Sequence, residues 1–266
     1  MISRYALAGL GLVLAATLSA PAASADQSAP ERRESYRPTL EASRTTAVAG
    51  TKVVLSGKVR PATAGGTVLL QKRIEGRKWA VEKKLTMNRR GAFRYTDKPT
   101  TPGTRSYRVV VPGAAPVRTG RSKSVEVTVL RWSRLTSVAT REAQGTTWGG
   151  SVSIGGKRYA DSIVSMRDVA NGSIDWNLDP SCTSLRVRLG AGDDGDIDAT
   201  ALLTLIGDGQ ELFSRTFALT QSEWRVFDVS GVFRLAFAWS SNRPRIPVPQ
   251  AGAVAAMATP EVLCAI

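Results

Sequence analysis

Four aspartates within six residues are the strongest candidate for chemistry in this sequence: Asp193, Asp194, Asp196 and Asp198. An oxygen-rich loop of this kind suits calcium, which binds carboxylates. The run is not an EF-hand loop, because a loop counted from Asp194 has Ala199 in place of the glycine and Leu205 in place of the final glutamate. Two interpretations stay open: a calcium site, with no other cofactor expected, or an acidic turn exposed to solvent.

The sequence argues against catalysis. Histidine is absent from the chain, which excludes nucleophiles activated by histidine and zinc bound by histidine. The aspartate run could be read as a pair of glycosidase carboxylates, but such a pair must face each other across about 5–10 Å. Neighbours in one loop do not make that geometry by themselves, so we predict no catalytic residues and no enzymatic activity.

Positive charge is concentrated in one half of the chain. Residues 26–131 contain 23 Lys and Arg against 8 Asp and Glu, a formal charge of +15, whereas residues 132–266 contain 12 against 14, or −2. Such an asymmetry indicates two domains.

Several basic residues of the first half should share a solvent-facing surface and make a positive field. The candidates for binding a polyanion are Lys72, Arg73, Arg77, Lys78, Lys83 and Lys84. The alternative is a solvated surface that only keeps the domain soluble. No motif of interleaved aromatic and basic residues indicates a nucleic-acid partner.

The first 25 residues predict a signal peptide. An apolar core from Leu7 to Leu18 is too short to span a bilayer, and Ala23-Ser24-Ala25 forms a small-residue cleavage site. We therefore expect a secreted protein with no transmembrane segment after cleavage. Residues 26–37 are polar and lack periodicity, which predicts a flexible leader.

The chain has two cysteines, Cys182 and Cys264. In an exported protein, two cysteines favour a disulfide, although two free buried thiols are the alternative. A bridge that closes a loop of this length contributes about 4 kcal/mol in the chain-entropy model.

Residues 38–131 contain about seven short runs rich in valine, leucine and aromatics, separated by glycine-containing turns. This roughly ten-residue spacing is typical of an antiparallel sandwich. The segment contains the motifs Gly57, Gln71-Lys72-Arg73, Gly76-Arg77-Lys78-Trp79, Gly91-Ala92-Phe93 and Thr104-Arg105-Ser106-Tyr107-Arg108. With these motifs it resembles immunoglobulin-like or fibronectin-type-III-like domains of exported proteins, and that resemblance implies a spacer or adhesion module.

Residues 132–266 also alternate apolar and polar residues, as in Leu185, Val187 and Leu189 against Arg186 and Arg188. Several segments follow one another in a characteristic order of strands and turns: Gly156-Lys157-Arg158-Tyr159, residues 189–194, residues 205–214, residues 226–235 and Cys264. This order resembles the NPCBM family of carbohydrate-binding modules, and the resemblance implies a jelly roll.

Two segments depart from that family. The family usually carries a glycine-rich strand ending in histidine where this chain has residues 162–167, ending in Arg167. It also carries an acidic segment with histidine and tryptophan where this chain has the small apolar residues Ala253 to Ala258. The sugar site implied by the resemblance is therefore largely missing from that segment.

Trp148, Trp176, Trp224 and Trp239 are candidate platforms for stacking on a sugar ring. Trp176 and Trp239 lie in phase with apolar neighbours, which favours core packing. Trp148 lies in a glycine-flanked turn and is expected to be exposed. Our candidates for ligand contact are Trp148, Tyr159 and Arg167.

The sequence thus predicts an all-β protein: an immunoglobulin-like β-sandwich over 38–131, followed by a jelly-roll (galactose-binding-like) β-sandwich over 132–266. The predicted function is non-catalytic association with a polysaccharide or an anionic cell-envelope polymer outside the cell. The alternative is a structural or protein-interaction protein whose carbohydrate-binding site has degenerated.

Overall fold

The computed structural model describes residues 34–166, 169–242 and 252–266. The predicted signal peptide, most of the predicted leader and Arg167 lie outside the described residues. No helix in the described part of the chain is long and apolar enough to cross a membrane.

The described residues form twenty strands and one short 3-10 helix, joined by turns and loops. The first ten are β1 (Arg37–Pro38), β2 (Glu41–Ala42), β3 (Thr46–Val48), β4 (Val53–Arg60), β5 (Thr67–Ile74), β6 (Ala80–Thr86), β7 (Ala92–Asp97), β8 (Gly103–Val111), β9 (Gly120–Arg121) and β10 (Val125–Arg134). After a short 3-10 helix (Leu135–Ser137) come β11 (Thr140–Gln144), β12 (Thr146–Ile154), β13 (Lys157–Ser165), β14 (Asn171–Asn177), β15 (Ser184–Gly192), β16 (Thr200–Gly207), β17 (Gln210–Ala218), β18 (Ser222–Asp228), β19 (Arg234–Asn242) and β20 (Val254–Cys264).

The N-terminal sandwich is built from β1 to β10. In one sheet β4 pairs with β7 on one side and with β1 and β2 on the other, and the second sheet has the order β3-β10-β8-β5-β6, with β9 added to β8. Alternate residues point into the space between the sheets, because side chains of a strand alternate between its two faces. Val53 and Leu55 of β4, Leu70 of β5 and Val127 of β10 are fully buried there.

The C-terminal sandwich packs the sheet β12-β13-β20-β15-β18 against the sheet β11-β14-β19-β16-β17. Trp176, Phe237, Leu189 and Leu205 lie in the core between them. A turn at Asp208 and Gly209 joins β16 to β17, with φ angles of 49° and 82°. Positive φ at both central residues is the geometry of a tight type I′ hairpin. The all-β prediction of two successive sandwiches is confirmed.

Strand β10 belongs to both sandwiches. Its residues 125–129 pair with β8, and its residues 131–134 pair with residues 261–264 of β20. The chain therefore passes the predicted boundary between residues 131 and 132 without leaving the strand. That two domains divide at this boundary stays a prediction.

The predicted disulfide is confirmed: Cys182 is bonded to Cys264 across 82 residues of sequence. Cys264 is the last residue of β20 and lies opposite Arg131 of β10. The bridge therefore anchors the end of β20 to which β10 is paired.

Candidate functional site

The acidic turn has a structural role at one of its aspartates. The carboxylate of Asp193 accepts hydrogen bonds from the backbone N–H groups of Gly155 and Gly156, at 2.6 and 2.8 Å. Both glycines have positive φ, at 59° and 75°, and form the turn between β12 and β13. Asp193 thus holds the β12–β13 hairpin against the end of β15.

The described aspartates do not form a ready ion cage. No group of three or more His, Cys, Asp or Glu side chains among the residues that the structure describes is arranged to hold a metal. Both oxygens of Asp193 already bind backbone amides, and Asp198 is exposed. One carboxylate oxygen of Asp196 is buried without a hydrogen-bond partner. Calcium binding at this turn stays a prediction.

Trp176 and Trp239 are buried and Trp148 is exposed, as predicted, but Trp148 lies within strand β12 and the turn predicted for it is wrong. Trp176 and Trp239 lie in the core of the C-terminal sandwich. Trp148 on β12 is 47% exposed, and Trp224 on β18 is 46% exposed. Trp148 and Trp224 are therefore accessible to a ligand.

An outward surface forms along β15 and β18. Leu185, Val187 and Leu189 of β15 are buried in the core, so Arg186 and Arg188 point away from it. In β18, Trp224 lies directly opposite Arg188, and Val226 lies opposite Arg186. We call this surface the aromatic–arginine face; its residues are Trp132, Tyr159, Arg186, Arg188, Trp224, Val226 and Glu261.

Arg186 joins three strands on this face. Its guanidinium carbon lies 4.3 Å from the ring centroid of Trp132 on β10, and its Nε donates a hydrogen bond to Glu261 Oε2 on β20 at 2.7 Å. The side chains of Arg186 and Glu261 are about one-third exposed. A guanidinium stacked on an indole and paired with a carboxylate is held in one orientation. Within the described ranges, the other N–H groups of Arg186 have no hydrogen-bond partner.

Arg188 makes a second group of contacts on this face, next to those of Arg186. Its guanidinium carbon is 5.7 Å from the ring centroid of Tyr159, and its Nη1 donates to Ser222 Oγ at 3.1 Å. Tyr159 packs on a small second cluster of buried side chains on the outer side of β20 and is contacted by Lys157, whose Nζ is 5.3 Å from the ring centroid. Tyr159 is half-buried, whereas Trp224, which lies opposite Arg188 on β18, is exposed.

This face has the chemistry that sugars require. Flat aromatic rings stack on the C–H face of a pyranose, and oriented arginine, glutamate and serine groups can pair with hydroxyls. Of the predicted contact residues, Tyr159 lies on the face, Trp148 lies on β12 and Arg167 lies outside the described residues. The sequence reasoning did not place Trp132, Arg186, Arg188 and Glu261 in the site. The alternation of arginine with leucine and valine in residues 185–189 was the signal that could have located the two arginines.

The small apolar segment Ala253 to Ala258 contributes no surface. Ala255 and Met257 point into the main core, while Val254, Ala256 and Ala258 point into the second cluster beneath Tyr159. Small side chains are required there because β20 is covered on both sides. A sugar contact in this sandwich must therefore come from other strands.

The predicted polyanion-binding residues lie on β5, β6 and the turn between them. Arg73, Arg77, Lys78, Lys83 and Lys84 are exposed. Lys72 is more enclosed, and its Nζ forms an ion pair with Glu82 at 2.6 Å, so its charge is partly neutralised. These positions make one edge of the N-terminal sandwich strongly basic.

No protein-family model matches the chain, and no curated protein is similar to it in sequence. Similar solved structures include the CBM51-2 and INT domains of Clostridium perfringens ZmpB, with a TM-score of 0.41 and 10% identity over 62% of this chain and 38% of that one. They also include CBM51 from Clostridium perfringens GH95 in complex with methyl-galactose, with a TM-score of 0.41 and 11% identity over 49% of this chain and 99% of that one.

A third similar structure is the carbohydrate-binding module CBM36 in complex with calcium and xylotriose, with a TM-score of 0.27 and 10% identity over 50% of this chain and 98% of that one. This chain spans well under half the length of the ZmpB structure. Similarities this distant do not identify a ligand for this chain.

Proposed function

We propose that this chain is a secreted, non-catalytic binding protein that associates with a cell-envelope or extracellular polysaccharide through the aromatic–arginine face. The observation that carries the proposal is the placement of Trp132, Tyr159 and Trp224 beside Arg186 and Arg188 on one sheet surface. We also propose that the C-terminal sandwich is an NPCBM-like module and that the N-terminal sandwich is an immunoglobulin-like domain.

The absence of catalysis is part of the proposal. The chain contains no histidine, and the acidic turn uses Asp193 to hold a hairpin. The basic edge of the N-terminal sandwich would supply a second, less specific attraction toward an anionic polymer.

Trp224 provides the most direct test. It is exposed and on the proposed face, so Trp224→Ala should remove a stacking platform without opening the core. On a glycan array, we expect the chain without its predicted signal peptide to bind a defined set of glycans. Trp224→Ala should weaken that binding about tenfold, which corresponds to roughly 1.4 kcal/mol.

Phe233→Ala is the matched control, because Phe233 is 59% exposed and lies outside this face. It should bind like the unaltered protein. Trp148→Ala separates the two candidate tryptophans: a greater loss there than at Trp224 would place the sugar at β12 and contradict the proposed face.

One observation favours the alternative of a protein-interaction surface. Val226, opposite Arg186, is 60% exposed next to Trp224 on β18, which pairs only with β15 in the described sheets. Exposed apolar side chains on an edge strand are also typical of protein contacts. Failure to bind any glycan on the array, with a correctly folded protein, would favour this alternative.

A further inference from the structure

Three arginines follow one another across the outer surface of the N-terminal sandwich. Arg108 of β8 lies opposite Gln71 of β5. Two residues along the strands in one direction, Arg73 of β5 lies opposite Ser106 of β8. Two residues along β8 in the other direction, Arg121 of β9 lies opposite Val110. Rows on one face of a strand are about 7 Å apart, and a flexible arginine side chain can cover that distance. Arg108 is therefore flanked by a guanidinium on each side.

Trp79 organises two of these arginines. The guanidinium carbon of Arg108 lies 4.1 Å from the ring centroid of Trp79, and that of Arg73 lies 4.9 Å from it. The Nε of Arg108 also donates to Gln71 Oε1 at 2.8 Å. Stacking and this hydrogen bond fix the plane of the guanidinium and leave its terminal N–H groups to bind an anion.

The three arginines of this cluster form no direct ion pair with an acid of the described chain. Among the described residues, Arg73, Arg108 and Arg121 take part in none of the ion pairs of 4 Å or less. Burial, followed by the charges of Arg121 and Arg73, lowers the pKa of Arg108. Bringing like charges together costs free energy that a bound anion would recover.

The surroundings set the direction from which an anion can approach. A cavity of about 440 Å³ adjoins Arg73 and is lined by Thr104, Ser106 and Arg77, with the carboxylates of Glu75 and Glu126 on the same side. Ser106 Oγ donates to Glu126 at 3.3 Å. Those carboxylates disfavour an anion at the cavity end, so we expect it near Arg108, with neutral parts of a polymer in the cavity.

We propose that Arg108, with Arg73 and Arg121 on either side, binds a phosphate or sulfate group carried by an extracellular polymer. A tetrahedral oxyanion offers three or four oxygens to several guanidinium groups, whereas a carboxylate fills a single guanidinium fork. The site lies on the N-terminal sandwich, away from the aromatic–arginine face. It deepens the proposed attraction toward an anionic polymer and does not depend on sugar binding by that face.

Replacing arginine by lysine tests the site, because it keeps the charge and removes the planar fork. We would measure binding of the chain without its predicted signal peptide to dextran sulfate, poly(glycerol phosphate), polygalacturonate and uncharged dextran. The triple variant Arg73→Lys, Arg108→Lys, Arg121→Lys should lose about tenfold or more in affinity for the sulfate or phosphate polymer. The polymer that binds more tightly identifies which of the two groups is the source.

The matched control replaces three other exposed arginines of the same sandwich: Arg44→Lys, Arg89→Lys and Arg90→Lys. It should stay within about twofold of the unaltered protein. Three results would each overturn the site. The first is unchanged binding by the triple variant, and the second is an equal loss of affinity in the triple variant and the control variant. The third is tighter binding of the unaltered protein to polygalacturonate than to the other polymers. If the triple variant does not fold, Arg73→Lys and Arg121→Lys are tested singly, and normal affinity in both overturns it.

Sugar binding by the aromatic–arginine face and anion binding by Arg108 can be disproved independently of each other. The lysine variants leave the aromatic–arginine face intact, so glycan-array binding should not change in them. Loss of array binding in Trp224→Ala should likewise leave binding to the sulfate or phosphate polymer unchanged.

Discussion

At the scale of single residues, Asp193 illustrates how an acidic run can be used for structure. Its carboxylate caps the two backbone amides of a glycine turn, and that turn leads into the strand that carries Tyr159. A carboxylate that accepts two N–H groups needs no ion to be satisfied. The other aspartates of the run stay candidates for calcium only if they rearrange around the ion.

Asp193→Ala should therefore destabilise the protein by about 1.5 kcal/mol, the cost of losing hydrogen bonds to a charged acceptor. Asp198→Ala, on the exposed side of the same turn, should stay within about 0.5 kcal/mol of the unaltered protein. Denaturant unfolding with and without EDTA measures both. Equal effects of the two substitutions, together with a stability that falls in EDTA and returns with calcium, would favour the calcium interpretation instead.

At the scale of strands, the alternation of apolar and polar residues predicts well which side chains of a strand are buried. It predicts poorly which strands and side chains meet. Residues 185–189 alternate as a half-buried strand should, and β15 places Leu185, Val187 and Leu189 inside. The contact of Arg186 with Trp132 could not be predicted in this way. It depends on β10 and β15 flanking β20, a sheet order that brings together residues more than fifty positions apart.

The predicted boundary between residues 131 and 132 rests on formal charge, which is +15 over residues 26–131 and −2 over residues 132–266. The structure pairs residues 131–134, which include both sides of this boundary, with residues 261–264 of β20. Strand partners separated by about 130 residues leave no signal of their pairing in the local sequence. The disulfide could be predicted because the chain has only two cysteines.

We expect the disulfide to hold this junction closed. Cys182→Ser with Cys264→Ser should lower the free energy of unfolding by about 4 kcal/mol in the chain-entropy model. Hydrogen exchange should quicken at residues 131–134, opposite the freed end of β20, more than at residues 125–129, which pair with β8. Equal protection of both halves of β10 in the variant would contradict this role of the bridge. Quantitative alkylation of both cysteines in the unreduced, denatured protein would contradict the bridge itself.

At the scale of the whole molecule, the proposed function assigns a different attraction to each sandwich. The half with a formal charge of +15 would act through a field that is screened within about 8–10 Å at physiological salt. The half with a charge of −2 would act through stacking and hydroxyl pairing, which depend little on salt. The dependence of binding on salt therefore reports which sandwich carries attachment.

We predict that attachment to an envelope surface depends more on the basic sandwich. Cutting the chain at residue 131 would divide β10, so the test is made in the full chain, on purified cell wall, from low salt to about 0.5 M. Neutralising Arg77, Lys78, Lys83 and Lys84 to glutamine should remove most retention at low salt, because these exposed charges supply the long-range attraction. Trp224→Ala should remove only the smaller fraction that persists at high salt. If retention is instead insensitive to salt and lost only in Trp224→Ala, attachment belongs to the aromatic–arginine face, and the basic edge serves chiefly to keep the protein in solution.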